Sequence, residues 1–342
     1  MPSMRLKQAA LDTHGSSALP GANLPTRGSL IDLVLKAVAR DWAIHREYNH
    51  YYLYFVPSHL KPALIRYVGS ANDEGITTAD LRTILKPPED TTAVDDDVTF
   101  NEQITYLDLA GSVGHSIKLK DVTQILFPSD EDADMIEPEE SWEGSLTPPR
   151  PTGPLVPYLT HLSLALRPGK MSDVSWKQLL AFSEKAHALT HLSLAYWPTP
   201  CFTPRAQRSL VTTPSGRNVS YGGTNLYSHS IDDDWSEALL ILRIFSRNLY
   251  ALEYLDLTGC ESWFRALHRE SEHDAVDWAG SWSKITELRL RAGWQPSEQA
   301  KQSERMIYAD AAAEAKQVEK HIIAMRQGQG RIINVVRDEV AQ

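Results

Sequence analysis

His229 and Asp234 stand at the two ends of His229-Ser-Ile-Asp-Asp-Asp234. A histidine can take a proton from a hydroxyl when a carboxylate orients its imidazole, so H-x-x-x-x-D is a spacing that suits general base catalysis. Asp232 to Asp234 form a run, however, so an Asp at that offset comes without selection for chemistry. The same carboxylates suit the positive end of a helix starting near Trp235. His268, His273 and Asp277 are metal-ligand types, but no second pair closes a coordination shell, and they fit a solvated helix face. Cys201 and Cys260 are the only cysteines, far apart and without metal-ligand spacing. They are expected as free thiols in a reducing compartment. No catalytic residue, no metal and no cofactor is expected.

A second set of polar residues recurs with a fixed place in a repeated phrase. The phrase is L-x-x-L-x-L, and five stretches carry it: Ile104 to Leu109, Leu159 to Leu164, Leu189 to Leu194, Leu252 to Leu257 and Ile285 to Leu290. Period-two alternation marks a strand with one buried face. Recurrence along the chain marks stacked repeats, whose usual task is binding. By alternation His161, Ser163, His191 and Ser193 point away from the core, with Tyr106 and Tyr254 at matching places. Tyr106, His161, Ser163, His191, Ser193 and Tyr254 are therefore the candidate partner-binding face, since Tyr and His are good recognition residues. A wet strand face needs polar residues anyway, which is the plainer account. Most tryptophans of this region (Trp176, Trp197, Trp235, Trp263, Trp278, Trp282, Trp294) are expected in packing. Trp197 and Trp294 directly follow repeat strands and could rim the surface.

The strand starts are 55, 30, 63 and 33 residues apart. Intervals of 30 and 33 fit one strand plus one helix, and helices are expected over 173–186, 234–246 and 262–268. The longer intervals hold an acidic, Pro-rich insertion at 129–157, expected to be disordered, and a polar loop at 198–233. The resulting division is a disordered tail (1–27), an all-helical module (28–88), a repeat region (100–295) and a helix-strand cap (296–342). In the module, Ser29 is an N-cap candidate for a helix running to about His45. Pro57 should open a second helix and Thr78 a third. The fold class is α/β, with a parallel sheet on one side and helices on the other.

A formal net charge of -10 argues against a nucleic-acid binder, which needs a concentrated basic face. No apolar run approaches the roughly 18 residues of a membrane span, and Met1 to Arg27 lacks the apolar stretch of a secretory signal. A cytoplasmic or nuclear protein is expected, with no membrane and no nucleic-acid partner.

The five phrases resemble the leucine-rich repeat family in its long, strand-plus-helix form, over about residues 100–295. The resemblance implies an irregular solenoid with a concave parallel sheet that binds a protein partner. The family's Asn or Cys after the strand occurs once, as Cys260, so a less ladder-like horseshoe is implied. Ser29-Leu30-Ile-Asp-Leu33-Val34-Leu-Lys-Ala-Val38 is similar to the elongin-binding box of cullin ubiquitin-ligase receptors, with Val34 where Cys is usual. Val56-Pro57-Ser-His-Leu60-Lys-Pro-Ala-Leu64 resembles that family's cullin-selecting box. An F-box, with a Skp-like adaptor, would look comparable over Val56 to Val68. These resemblances imply an adaptor-binding set of Ser29, Leu30, Leu33, Val34, Val38, Val56, Pro57, Leu60 and Leu64. Leu30, Val34 and Val38 are spaced as one docking stripe, or equally as a stripe packed on the second helix to seal the repeats. The implied role is a non-catalytic protein binder, as a ubiquitin-ligase substrate receptor or as a scaffold. The His229 and Asp234 pair, which resembles the motif of glycerolipid acyltransferases, is a third and weaker possibility.

Overall fold

Alternation fixes which side of each phrase is buried, and every phrase forms a strand. They are β1 (Tyr106–Asp108), β2 (His161–Ser163), β3 (His191–Ser193), β6 (Tyr254–Asp256) and β7 (Glu287–Leu290), followed by β8 (Asn334–Arg337). The computed structural model describes residues 19–72, 75–88, 101–128, 154–170, 172–202, 209–212, 218–221, 235–270, 274–297, 299–329 and 331–339. The six strands make one parallel sheet in chain order, β1-β2-β3-β6-β7-β8. Its register aligns Leu107, Leu162, Leu192, Leu255, Leu288 and Val335 in one buried row. Past the strand ends the bonding continues: Leu109 N–H donates to Ser163 O, Leu164 to Ser193 O, Leu194 to Asp256 O and Leu257 to Arg289 O, at 2.9–3.0 Å.

A row of helices backs this sheet. Its members are α5 (Thr78–Leu85), α6 (Leu119–Leu126), α7 (Trp176–Ser183), α8 (Ser236–Asn248), a 3-10 helix (Glu261–Leu267) and α9 (Gln302–Met325), each touching the next. Their apolar sides and the strand leucines form one continuous core. The apolar stripe Leu119, Val122, Ile125 and Leu126 buries α6 there. Short helices of this kind depend on that burial, because isolated turns are costly to nucleate. A capping box helps α5: Thr77 Oγ1 accepts from Asp80 N–H and Asp80 accepts from Thr77 N–H.

The N-terminal helices are α1 (Leu30–Arg40), α2 (Trp42–Tyr48), α3 (His50–Leu53) and α4 (Lys61–Ala71). Ser29 caps α1 as expected, its Oγ accepting from Asp32 N–H at 3.2 Å. The first helix stops at Asp41 rather than running on to His45. The second begins at Lys61 with Pro62 in its first turn, because Pro57 sits in a preceding turn whose carbonyl accepts from Leu60 and Lys61. Helix α4 lies against β1, where Arg66 Nε is 3.5 Å from Asp108 Oδ2. It thereby covers one edge of the sheet, which would otherwise offer open backbone groups. Lys61, the first residue of α4, is buried, with Nζ 2.8 Å from Asn101 Oδ1 and 4.4 Å from the Tyr54 ring centroid, and burial pushes its pKa down to about 8.

Three expectations about irregular segments need correction. Residues 19–27 were assigned to a disordered tail, yet Leu19 is buried and Ala22 N–H bonds Leu19 O at 3.2 Å. Leu155 and Val156, at the end of the acidic insertion, pack on the core because they are apolar, while 129–153 lie outside the described residues. The loop at 198–233 contains an antiparallel hairpin, β4 (Ser209–Thr212) with β5 (Asn218–Tyr221).

The turns after the strands show what replaces a regular side-chain ladder. Cys260 Sγ bonds Leu194 O at 3.3 Å, one repeat back. Trp197 occupies the same repeat position, and its Nε1–H donates to Leu164 O at 2.8 Å. Ser112, again at that position, accepts Ile76 N–H on Oγ at 3.0 Å. Trp197 is thus fully buried, not a rim residue, and Trp294 is half-buried with its ring 5.4 Å from that of Tyr308. At the other end Arg326, 4% exposed, donates to the carbonyls of Trp278, Trp282 and Ile285 at 3.0, 2.6 and 2.7 Å.

Two stability changes follow. Arg326→Met should strip three buried carbonyls of their donor and cost about 3 kcal/mol in urea unfolding. Arg326→Lys should recover only part of that, since an ammonium cannot reproduce the guanidinium fork. At Gly259 φ is +76, and an added Cβ would stand 2.2 Å from a ring carbon of Tyr196. Gly259→Ala should therefore cost about 2–4 kcal/mol by the same measurement.

Candidate functional site

The face of the sheet opposite the helices carries two columns of side chains, set by the register. One is Tyr106, His161, His191, Tyr254 and Glu287; the other is Asp108, Ser163, Ser193, Asp256 and Arg289. Parallel neighbours about 4.8 Å apart bring flat rings into stacking distance. The His161 and His191 rings stack at 4.1 Å and 15°, and His191 stacks on Tyr254 at 5.6 Å and 16°. The Arg289 guanidinium lies 5.2 Å over the Tyr254 ring while pairing with Glu287 at 2.9 Å. In the second column Ser193 Oγ donates to Asp256 Oδ2 at 3.1 Å, and Asp256 Oδ1 accepts Thr258 N–H at 3.0 Å. Tyr106 Oη donates to Asp108 Oδ2 at 3.0 Å, and Asp108 Oδ1 accepts Ala110 N–H at 3.0 Å.

Each histidine is held the same way. Thr160 Oγ1 is 2.8 Å from His161 Nδ1 and Thr190 Oγ1 is 2.8 Å from His191 Nδ1. Both hydroxyls also donate to a carbonyl one strand back, Thr105 O and Thr160 O, at 3.2 Å. With the hydroxyl hydrogens used there, Nδ1–H donates to the threonine oxygen and Nε2 keeps a free lone pair. Burial lowers the pKa of His161, opposed by its bond near Thr105 and by Glu253. Burial and then the neighbouring His161 lower His191 to about 4, against the opposing pull of Glu287. Burial followed by the nearby carboxylates, Asp108 and Asp256 respectively, pushes the phenols of Tyr106 and Tyr254 up.

All six residues expected on this face are there and adjacent, but the face is not bare. Tyr106 and Tyr254 are 4% and 2% exposed, Ser163 and Ser193 are buried, and the two histidines are half-buried. The cover is the chain's own segment 19–24. Leu19, Tyr106 and Tyr254 form a small apolar cluster separate from the main core, with Ala22 and Leu24 packed on it. An added Cβ at Gly21 would stand 3.0 Å from His161 Nε2 and 3.8 Å from the two ring carbons beside it, so the backbone passes against the Nε2 edge of that ring. The missed signal was Pro20-Gly21, a turn pair in a stretch with no apolar run to announce structure.

The second candidate surface is the outside of α1. Its inner side buries Leu35 and Ala39 against α4, and the buried Asp32 carboxylate accepts from Tyr67 Oη at 2.6 Å, Lys36 Nζ at 3.0 Å and Gly28 N–H at 2.8 Å. Its outer side leaves Leu30 77%, Leu33 56% and Val34 51% exposed. Ile44, Tyr48 and Tyr52 on α2 and α3 are exposed as well. The nine residues of the two boxes therefore separate. Leu30, Leu33, Val34 and Pro57 reach the surface, and Ser29 caps the helix. Val38, Val56 and Leu60 are half-buried, and Leu64 belongs to the core. Val38 does not continue the Leu30–Val34 stripe outward, because it packs against the core.

The residues with catalytic or metal spacing are described only in part. His229, Asp234 and His273 lie outside the described residues. His268 Nε2 is 2.9 Å from Glu314 Oε2, while Asp277 accepts Gly280 and Ser281 N–H in its own turn. Among the described residues no group of three His, Cys, Asp or Glu side chains is placed to hold a metal ion, and no helix is long and apolar enough to cross a membrane. Cys201 and Cys260 are buried free thiols.

The histidine pair makes stability depend on pH. The folded chain holds His191 at about 4 against an ordinary value of 6.5, so between those values the unfolded chain binds the extra proton. The contribution of His191 to stability is full above pH 6.5 and is lost as pH falls towards 4. His191→Phe keeps a flat ring without a titrating group and should shrink the drop in melting temperature between pH 7 and pH 5. An unchanged drop would place the dependence elsewhere.

No family model, curated protein or solved structure matches this chain, so its function is argued from this geometry alone.

Proposed function

We propose that the chain is a non-catalytic protein-binding leucine-rich-repeat protein, an irregular solenoid whose polar sheet face is concave and selects a protein partner. The support is topological: one repeated phrase yields one strand, the strands follow chain order, and a helical segment intervenes each time. The side chains that reach back one repeat at Trp197 and Cys260 do the work of a repeat ladder with unlike residues.

In the sharper form, the N-terminal helices dock an elongin- or Skp-like adaptor and, with it, a cullin, so that the protein acts as a ubiquitin-ligase substrate receptor in the cytoplasm or nucleus. A single observation carries this: Leu30, Leu33 and Val34 form an apolar stripe directed to solvent, although α1 already satisfies its packing through Leu35 and Ala39. Large aliphatic residues on the free side of a capped, well-packed helix are what helix-in-groove recognition uses. Helix α4 lying on β1 is the observation that favours the alternative, a scaffold subunit whose helices only seal the sheet.

The two readings part at α1. Leu30→Ala with Val34→Ala removes exposed area and should leave the melting temperature within a few degrees, since surface substitutions typically change stability by under about 0.5 kcal/mol. A receptor should lose adaptor and cullin co-purification by at least about tenfold in that variant. If the wild-type chain captures neither protein, the ligase role is refuted and the scaffold remains.

A further inference from the structure

Segment 19–24 has the local structure of a ligand rather than of a connecting strand. Leu19-Pro20-Gly21-Ala22 closes with Ala22 N–H on Leu19 O at 3.2 Å, with proline second and a glycine at φ +82 third. That is the residue pattern of a type II turn, where Pro presets one angle and Gly supplies the left-handed one. Leu24 N–H then bonds Ala22 O at 3.0 Å, so two of the segment's donors are met within it. What it gives the sheet is an aliphatic anchor, Leu19, at 3% exposure beside the two tyrosines, and a glycine whose lack of a side chain lets it approach the Nε2 edge of His161. The receiving face answers in kind: a stack of flat rings with two half-buried imidazoles, whose pKa burial lowers. Charges do stand around it, Asp108, Asp256, Glu253, Glu287, Arg66, Arg289 and Arg291, but Asp108 is bonded to Tyr106 and paired with Arg66 at 3.5 Å, Asp256 is bonded to Ser193 and Glu287 is paired with Arg289.

We infer that this sheet face is a peptide-binding site whose resting occupant is the chain's own Leu19–Leu24 turn. Its protein partner presents an uncharged segment of the same chemistry, a leucine followed by a Pro-Gly turn, and binds by displacing that turn. The inference rests on reading the sheet as a partner-binding face and adds the class of ligand and the step that gates it. Tethered to α1 through Pro25 to Ser29, the turn competes at an effective concentration on the order of millimolar. A face closed about 90% of the time weakens a partner about tenfold.

A fluorescein-labelled peptide with the sequence of residues 18–26 tests this by anisotropy against the full chain. Leu19→Asp with Gly21→Val empties the face without altering a residue of the sheet. It should bind the peptide at least about tenfold more tightly than the wild type does. Equal affinity for both chains, or no binding to a variant that still unfolds cooperatively, overturns the proposal. Should that variant fail to fold, the wild-type chain decides. Saturating peptide should raise amide hydrogen exchange at residues 19–24 several-fold, and unchanged exchange there refutes displacement. Adaptor capture by α1 reads a different surface, so it separates a failure of this site from a failure of the receptor role.

Discussion

At four of the five joins in the sheet, one carbonyl at the foot of a strand receives two amides of the next. Thr105 O takes Thr160 and His161 N–H, Thr160 O takes Thr190 and His191, Thr190 O takes Glu253 and Tyr254, and Glu253 O takes Thr286 and Glu287. Strands of three or four residues have few bonds to spend, so this repeated junction decides the register. A slip of one residue would send the buried leucine row to the open face and the rings into the core. Because the register holds, Tyr106, His161, His191 and Tyr254 fall in line, and their stacking is a result of the backbone pattern rather than its cause. The same regularity aligns Ser112, Trp197 and Cys260 so that each can satisfy a backbone group beside its own turn.

A parallel sheet ordinarily needs cover on both faces. Helices supply it on one side with aliphatic and tryptophan surface. On the other side the cover is thin: rings, hydroxyls, paired carboxylates and one short turn. The imidazoles there are kept neutral by partial burial, which suits an apolar cover and would not survive beside an unshielded charge. The outer stripe of α1 is a different kind of surface, aliphatic and uncovered. The molecule thus carries two chemically distinct surfaces on separate elements.

The strands were legible because alternation and repetition reinforce each other, and Ser29 was legible because capping chemistry is local. Helix boundaries were less so. Pro57 and Pro62 are equally good openers on paper, and only the burial of Lys61 to Ile65 chooses the second. Helix α6 escaped notice because its eight residues lie in an interval dominated by the acidic insertion. The side of α1 that faces outward was ambiguous, since Leu30, Leu33, Leu35, Val38 and Ala39 cover most of its circumference. Tertiary packing with α4 resolved it by burying Leu35 and Ala39. The turn on the sheet face depends on a contact between residues 21 and 161, which no local pattern encodes.

Strand order that follows chain order has a consequence for how the chain is assembled. Each strand meets a partner that was synthesised immediately before it, so the sheet can grow one unit at a time from either end. Loop closure costs rise only with the logarithm of loop length, about 0.6 kcal/mol per doubling. The long intervals before β2 and β6 therefore tax the ladder little more than the short ones. Such a design separates architecture from elaboration: segments between units can lengthen, shorten or diverge while the ladder stays in step. A join that lacks this tolerance is the contact of residues 19–24 with strands β1, β2 and β6. It reaches across units, and so it forms only once the middle of the chain exists.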